Sequence, residues 1–370
     1  NSCIIGPASS FKTIFKSILM AQIGTKPLTI YYFPTSYSSQ KVLFGLYEKD
    51  VNFKRKLVNL FSGQHNEPWY VRLNPDGAHI PVLRHDDKII TEPSAIINYI
   101  DKLIGTGPIL VPDGSSELGR NVAEFRKKLD GIAVDVLTYG IILHPHLSPS
   151  GCHISGAVQI SMKEQTSSYN QLIKLKIASI SASPGCLQSS EITFENFTRR
   201  LQLLTELVTK HPDLRDAYLA KSQLAAQTYD IINGEAKVKY HLDDLEKTFK
   251  EVEQQLKKIK EASRDIADET WLFGPMFTAA DISLAVLLNR LTLLGLDSHY
   301  FSQDKYPFIH AYHQQVQTRP AFQVIQKEIS NLQLTLIWEN VKAEIPYIAT
   351  ATGIGVAAGL GFIIYKYLKR

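Results

Sequence analysis

The chain has 370 residues and a mass of 41.6 kDa, too long for one small domain. Hydrophobic residues make up 44% and charged residues 21%, a globular mix that excludes a mainly disordered, collagenous or multi-span membrane chain. Forty basic against 36 acidic residues leave a net charge of +4, too mild to argue for nucleic acid without a local basic patch.

The chain starts at Asn1, and Met20-Ala21 reads as a native start. Residues 1–26 are then an N-terminal extension, in part upstream read-through. The alternative is a matrix presequence, because Phe11, Ile14, Phe15, Ile18 and Leu19 fall at helical spacing with Lys12 and Lys16 among them. Leu28 to Phe33 is a β-branched and aromatic run between two prolines and reads as a strand. Ser38 to Lys49 has helical spacing, and Val51 to Leu60 offers a second strand. Ile80-Pro81-Val82-Leu83 and Lys88-Ile89-Ile90 flank the polar turn His85-Asp86-Asp87, the pattern of a hairpin. Glu92 to Leu103 is helical again. The order βαβ then ββα predicts a small α/β domain over 27–104.

Breakers at 105–117 mark a linker. Residues 118–330 then read as all-α. Leu242, Leu245, Phe249, Val252, Leu256 and Ile259 repeat at spacings of three and four. That seam lasts about three heptads, which favours a self-contained helical hairpin over 194–262 rather than a long dimeric coiled coil. Residues 147–190 differ from their surroundings. They hold eleven serines, several Gly/Pro breakers and the single acid Glu164, as a poorly ordered insertion would. Cys3, Cys152 and Cys186 are odd in number and lack C-x-x-C spacing, so a disulfide framework and a cysteine zinc site are not expected, nor any other metal. Thr278 and Asp281 form a helix-start signal, with Asp in place of the usual Glu. A last helical segment runs from Pro307 to Ile329, interrupted at Arg319-Pro320.

After a connector over 331–345 the chain turns apolar. Ile345 to Tyr365 are 21 residues without a charge, bounded by Glu344 and by Lys366, Lys369 and Arg370. As a helix the run would span about 31 Å, the thickness of a bilayer core. Tyr347, Tyr365 and Tyr367 lie where aromatic belts form. The expectation is a transmembrane tail anchor over 346–365 with a basic tail at 366–370, the bulk of the chain facing the cytosol. A short span with a small basic tail favours the mitochondrial outer membrane. Gly355 and Gly359 form a G-x-x-x-G, which packs two anchors together or is incidental in a small-residue helix.

Four pieces of this sequence resemble the glutathione transferase family: the strand at 28–33 entering a hydroxyl-rich turn; Leu73-Asn74-Pro75-Asp76-Gly77 leading to Ile80-Pro81-Val82-Leu83; Phe277-Thr278-Ala279-Ala280-Asp281; and Tyr306-Pro307 with Arg319-Pro320-Ala321-Phe322. The resemblance implies a thioredoxin-like N-terminal domain and an all-α C-terminal domain. The sequence is more closely similar to the ganglioside-induced differentiation-associated protein 1 group, through Ser38-Ser39-Gln40-Lys41-Val42, His65 to Tyr70, Leu143-His144-Pro145 and Pro212 to Tyr218. That likeness implies a mitochondrial outer-membrane protein acting in fission and network dynamics. It implies protein partners there, admits a homodimer, and involves no nucleic acid.

Glutathione is the ligand the family implies. A transferase stabilises the thiolate with a hydroxyl at the start of the first helix, aided by the helix dipole. Ser36 best matches that position; the competing reading is that Ser36, Tyr37, Ser38 and Ser39 only cap the helix. Ile80-Pro81 matches the family's cis-proline step, whose backbone pairs with the cysteinyl part of glutathione. Glu92-Pro93-Ser94 stands where the family grips the γ-glutamyl carboxylate with a serine hydroxyl and its amide. Pro93 removes both groups, and Ser94 follows one position late. Three readings stand: an adaptor with a weak or absent glutathione site, a membrane-tethered transferase that conjugates electrophiles, and an oligomeric scaffold built on the heptad seam.

Overall fold

The computed structural model describes residues 28–77, 79–103, 107–154, 159, 207–263 and 269–332. Strand β1 (Leu28–Tyr32) is the centre of a four-stranded sheet. It runs parallel to β2 (Phe53–Leu57) and antiparallel to β3 (Val82–His85), which pairs with β4 (Lys88–Ile90). A parallel pair needs a crossover, supplied here by helix α1 (Tyr37–Glu48). β2 is an edge strand, and Lys54, Arg55 and Lys56 keep that edge exposed and charged. Alternation along β1 sorts two cores. Leu28, Ile30 and Tyr32 join the main core, while Tyr31 and the following Phe33 join a second one on the opposite face. Helix α2 (Pro68–Leu73) covers the second core, and α3 (Pro93–Leu103) packs beside α1.

The segment after α3 is more than a spacer. Asp101 accepts hydrogen bonds from the amides of Leu110 (3.1 Å) and Val111 (3.0 Å), and its other partner is the buried Lys49 at 2.9 Å. Leu110 is fully buried and its carbonyl accepts the Ala279 amide.

The C-terminal unit contains helices α4 (Glu117–Asp130), α5 (Val134–Leu143), α6 (Arg215–Asn233), α7 (Glu235–Ala262), α8 (Ala279–Leu293), the short α9 (Asp297–Tyr300), α10 (Pro307–Gln317) and α11 over 320–332. α8 is apolar around most of its circumference, which suits its central, buried place. Its first turn carries the capping box expected from Thr278 and Asp281. Arg319, between α10 and α11, forks onto Glu48 of α1 at 2.9 and 2.6 Å and lies over the ring of Phe277.

Two expectations are corrected here. The seam on α7 is not the inside of a self-contained hairpin. Leu242, Leu245, Phe249, Val252 and Leu256 are buried in the main core, with α7 packed on α5 and α10 as well as α6. Gly140 makes the α5 contact close, since a Cβ there would stand 2.7 Å from Val238. A seam spent inside one chain is not available to zip two chains together, so the coiled-coil basis of the scaffold reading falls away. The insertion also starts inside the fold. Ser148 Oγ donates to the Leu294 carbonyl at 2.7 Å, His153 N–H donates to the Leu293 carbonyl at 2.8 Å, and Ile154 joins the main core. The rest of 147–190, apart from Gln159, lies outside the described residues, as do 1–26 and 194–206.

Among the described residues no helix is long and apolar enough to cross a membrane. The uncharged run at 345–365, with Gly355 and Gly359, lies outside them.

Candidate functional site

The turn from β1 into α1 presents the expected hydroxyls in a well-defined arrangement. Ser36 is the N-cap of α1, and its Oγ accepts the Ser39 amide at 3.3 Å. Ser39 is fully buried, and its Oγ accepts the Phe33 amide at 3.4 Å. Arg290, buried at the end of α8, donates to the Thr35 carbonyl at 2.6 Å and to Thr138 Oγ1 at 3.2 Å. The Tyr37 hydroxyl is buried without a hydrogen-bond partner among the described residues. Burial first, then the Asp130 carboxylate, push its pKa far above that of an ordinary tyrosine. A hydroxyl so enclosed turns no exposed donor toward a thiol. The oxygen of Ser36 works as a cap, and its proton remains available.

The Ile80–Pro81 peptide is cis, and Ile80 is buried in the second core. Just before it, the His79 carbonyl accepts the Tyr70 hydroxyl (2.8 Å) and the Asn74 amide (2.9 Å). At the start of α3, Glu92 is exposed and its carbonyl takes the Ile96 amide at 2.9 Å. Pro93 is the first residue of α3, where it brings neither hydroxyl nor N–H.

Ser94 is already engaged. Its hydroxyl donates to Asp130 Oδ2 at 3.1 Å. Asp130 is the hub of the interface between the two units: Lys41 Nζ reaches its Oδ1 at 2.9 Å, Ser283 Oγ at 2.8 Å, and Arg126 Nε approaches Oδ2 at 3.6 Å. Burial would raise the Asp130 pKa. The Lys41 ammonium, the Ser283 hydroxyl and the Arg126 guanidinium outweigh it and hold the carboxyl below its usual range. Ser94 from α3 and Asp130 and Arg126 from α4 line a groove of about 780 Å³ between the two helices. The structure thus brings Ser36, Ile80, Pro81, Glu92 and Ser94 to one domain, but ties the Ser94 proton to a carboxylate from the other. Thr278 and Asp281 serve the helix cap.

His144 and His146 tie the end of α5 to the junction of α6 and α7. His144 Nε2 bonds the Ile232 carbonyl at 3.0 Å, and His146 pairs with Glu235 at 3.2 Å. No cluster of three metal-ligating side chains occurs among the described residues.

The N-terminal domain family of glutathione S-transferases matches residues 26–102, and the C-terminal domain family matches 208–315. The chain belongs to the glutathione transferase superfamily. Likeness to the ganglioside-induced differentiation-associated protein 1 group extends over nearly the whole chain. Human ganglioside-induced differentiation-associated protein 1-like 1 is 28% identical over 93% of this chain and 87% of its own length. Glutathione S-transferase TCHQD of Arabidopsis thaliana is 25% identical over 75% of this chain and 82% of its own. Among solved structures, the β-etherase LigF of Sphingobium sp. superposes with a TM-score of 0.51 at 19% identity, covering 82% of this chain and all of the other. At that identity the match supports the shared fold alone. These likenesses agree with the thioredoxin-like and helical units expected from the motifs.

Sequence reasoning missed Asp130 and Arg290, which no motif frames, and gave Lys41 no role within Ser38–Val42; each acquires its role from a partner on a distant element.

Proposed function

We propose that this protein is a glutathione transferase-fold adaptor of the mitochondrial outer membrane, tail-anchored by 346–365, acting in mitochondrial fission and network dynamics. Its glutathione chemistry is weak or absent. The proposed division is a thioredoxin-like domain over 27–104, a linker over 105–117 and a helical domain over 118–330, with a homodimer as its assembly. The observation that carries the loss of chemistry is the Ser94–Asp130 hydrogen bond. With Pro93 in place of a serine, the γ-glutamyl carboxylate meets no N–H at that residue, a hydroxyl already committed, and a carboxylate behind it. A missing hydrogen bond to a charged acceptor costs about 1.5–3 kcal/mol, or about 10- to 150-fold in affinity.

Calorimetric titration of the full-length protein with glutathione tests this. Wild type should bind weakly, Pro93→Ser should bind about 10- to 150-fold tighter, and Ser36→Ala should leave turnover of a general electrophile nearly unchanged. Robust wild-type turnover that collapses in Ser36→Ala would instead favour the membrane-tethered transferase. That second reading draws on the named transferase among the relatives and on the free proton of Ser36 at the α1 N-terminus.

The membrane half of the proposal rests on the uncharged run and its basic flank. A soluble reporter fused to residues 335–370 should go to mitochondria. Ala357→Arg should release the full protein, since a central Arg costs about 2.5–3.5 kcal/mol on an insertion scale. A reporter spread evenly through the cytosol would sink the anchor.

A further inference from the structure

The groove between α3 and α4 extends well beyond Ser94. The two helices run antiparallel along it. Ser94 meets Asp130 at one end, and Asn98 Oδ1 accepts Arg126 Nη1 at 2.8 Å one turn further in. Lys102 and Gly119 line the far end, where the linker passes. Val111, Val122 and Ala279 give the groove apolar walls, and Lys102 and Lys127 stand exposed at its rim. Its volume of about 780 Å³ falls within the range of about 300–1,000 Å³ typical of small-molecule sites.

Arg126 lines this groove although it is only 7% exposed. Its Nε is buried and has no hydrogen-bond partner among the described residues. Asp130 Oδ2, at 3.6 Å, is too far to accept it. That carboxylate is satisfied by other donors: Lys41 and Ser283 hold Oδ1, and Ser94 holds Oδ2. Two nearly buried cations, Lys41 and Arg126, therefore share one carboxylate. Burial lowers the Arg126 pKa and Asp130 opposes the change, but an arginine keeps its charge. A desolvated guanidinium with an N–H to spare, in a groove open to solvent, favours an incoming anion.

We infer that this groove binds a small organic carboxylate, with its anionic end on Arg126 and its apolar body laid toward Val111 and Val122. Lys102 and Lys127 at the mouth draw anions toward it. The body points away from the Ser94–Asp130 end, so the site is separate from the γ-glutamyl position. Glutathione suits it poorly, since its ammonium and peptide amides would face the apolar walls. The inference does not depend on whether glutathione binds elsewhere.

Photolabelling of the full-length protein with 4-benzoylbenzoate, mapped by peptide mass spectrometry, tests this. The label should saturate and fall within residues 98–127. 1-Naphthoate should compete for it, and the uncharged methyl 1-naphthoate should compete at least about 10-fold less well. Arg126→Gln should raise the half-saturating concentration by about 10- to 150-fold. Ala123→Phe, at an exposed position of α4 that lines the groove, fills the space and leaves Arg126 in place. It should abolish the label without moving the melting temperature. Lys54→Gln, on the exposed β2 edge, should change nothing. Equal competition by acid and ester would overturn the inference from wild type alone, as would label scattered over the chain without saturation. Displacement of the label by glutathione would overturn it too, by assigning the groove to the family's ligand.

Discussion

Asp281→Ala is expected to lower the stability of the full chain by about 4 kcal/mol, because it strands several buried donors at once. The carboxylate accepts the Leu272 amide, the Thr278 amide and the Thr278 hydroxyl, each at 2.8 Å, and the Tyr312 hydroxyl at 3.1 Å. Asp281, Thr278 and Leu272 are fully buried, so no water replaces the lost acceptor. Burial raises the Asp281 pKa, and the hydrogen bonds from Leu272, Thr278 and Tyr312 oppose that rise. Each orphaned donor costs about 1–3 kcal/mol, less whatever local relaxation recovers. Asp281→Asn keeps one acceptor but turns an NH2 toward donors, so it should fall between Ala and wild type. Thr278→Ala removes only its own cap and should cost about 1 kcal/mol. For a fold of this size, about 4 kcal/mol corresponds to a melting point lowered by roughly 8–16 °C. Thermal melts followed by near-ultraviolet circular dichroism should rank Ala below Asn below the Thr278 variant. An Asp281→Ala protein melting within about 2 °C of wild type would contradict this account of the cap.

That cap was legible because its physics is local. A hydroxyl at one position and a carboxylate three later can satisfy each other's backbone whatever the rest of the chain does. The same holds for the strand at Leu28–Tyr32 and for Pro93, whose missing N–H is a property of the residue itself. Periodicity was less informative. The α7 seam records an apolar stripe at helical spacing, and such a stripe looks the same whether it faces a partner hairpin, another copy or the chain's own α5 and α10. Serine-rich composition likewise gave no hint that Ser148 and Ile154 seat the start of the insertion on the end of α8. The site was legible only in part. Ser94 could be placed one residue late in a motif, but its hydroxyl is satisfied by Asp130, 36 positions away. Lys41 lies on the buried stretch of α1 and finds its counter-ion 89 positions away. Nothing in spacing or composition encodes such long-range partners.

Asp130→Ala is the second large effect expected, and it links stability to the site. The variant leaves Lys41 and Arg126, both nearly buried, without their shared carboxylate. Removing one partner of a buried ion pair costs about 3–5 kcal/mol, because the remaining charge stays desolvated. Replacing Lys41 and Asp130 together by Met and Leu should cost much less than either change alone, since a buried pair exchanged for apolar groups is often near neutral. The pH dependence has a definite sign. The Asp130 pKa is lowered in the folded protein from the ordinary 3.8, so the unfolded chain takes up its proton first as pH falls. The stabilisation is therefore complete above that value and fades as pH drops through the lower, folded one. Urea titrations at pH 7 should separate wild type from Asp130→Asn, and the gap should close progressively below pH 3.8. A gap that stays constant into acid would show that the carboxylate charge is not what holds the interface. Asp130→Asn also changes what Ser94 faces, replacing an acceptor carboxylate with an amide that can itself donate. If the Ser94–Asp130 bond is what closes the γ-glutamyl subsite, glutathione affinity should rise in Asp130→Asn while stability falls, two readouts moving in opposite directions from one substitution.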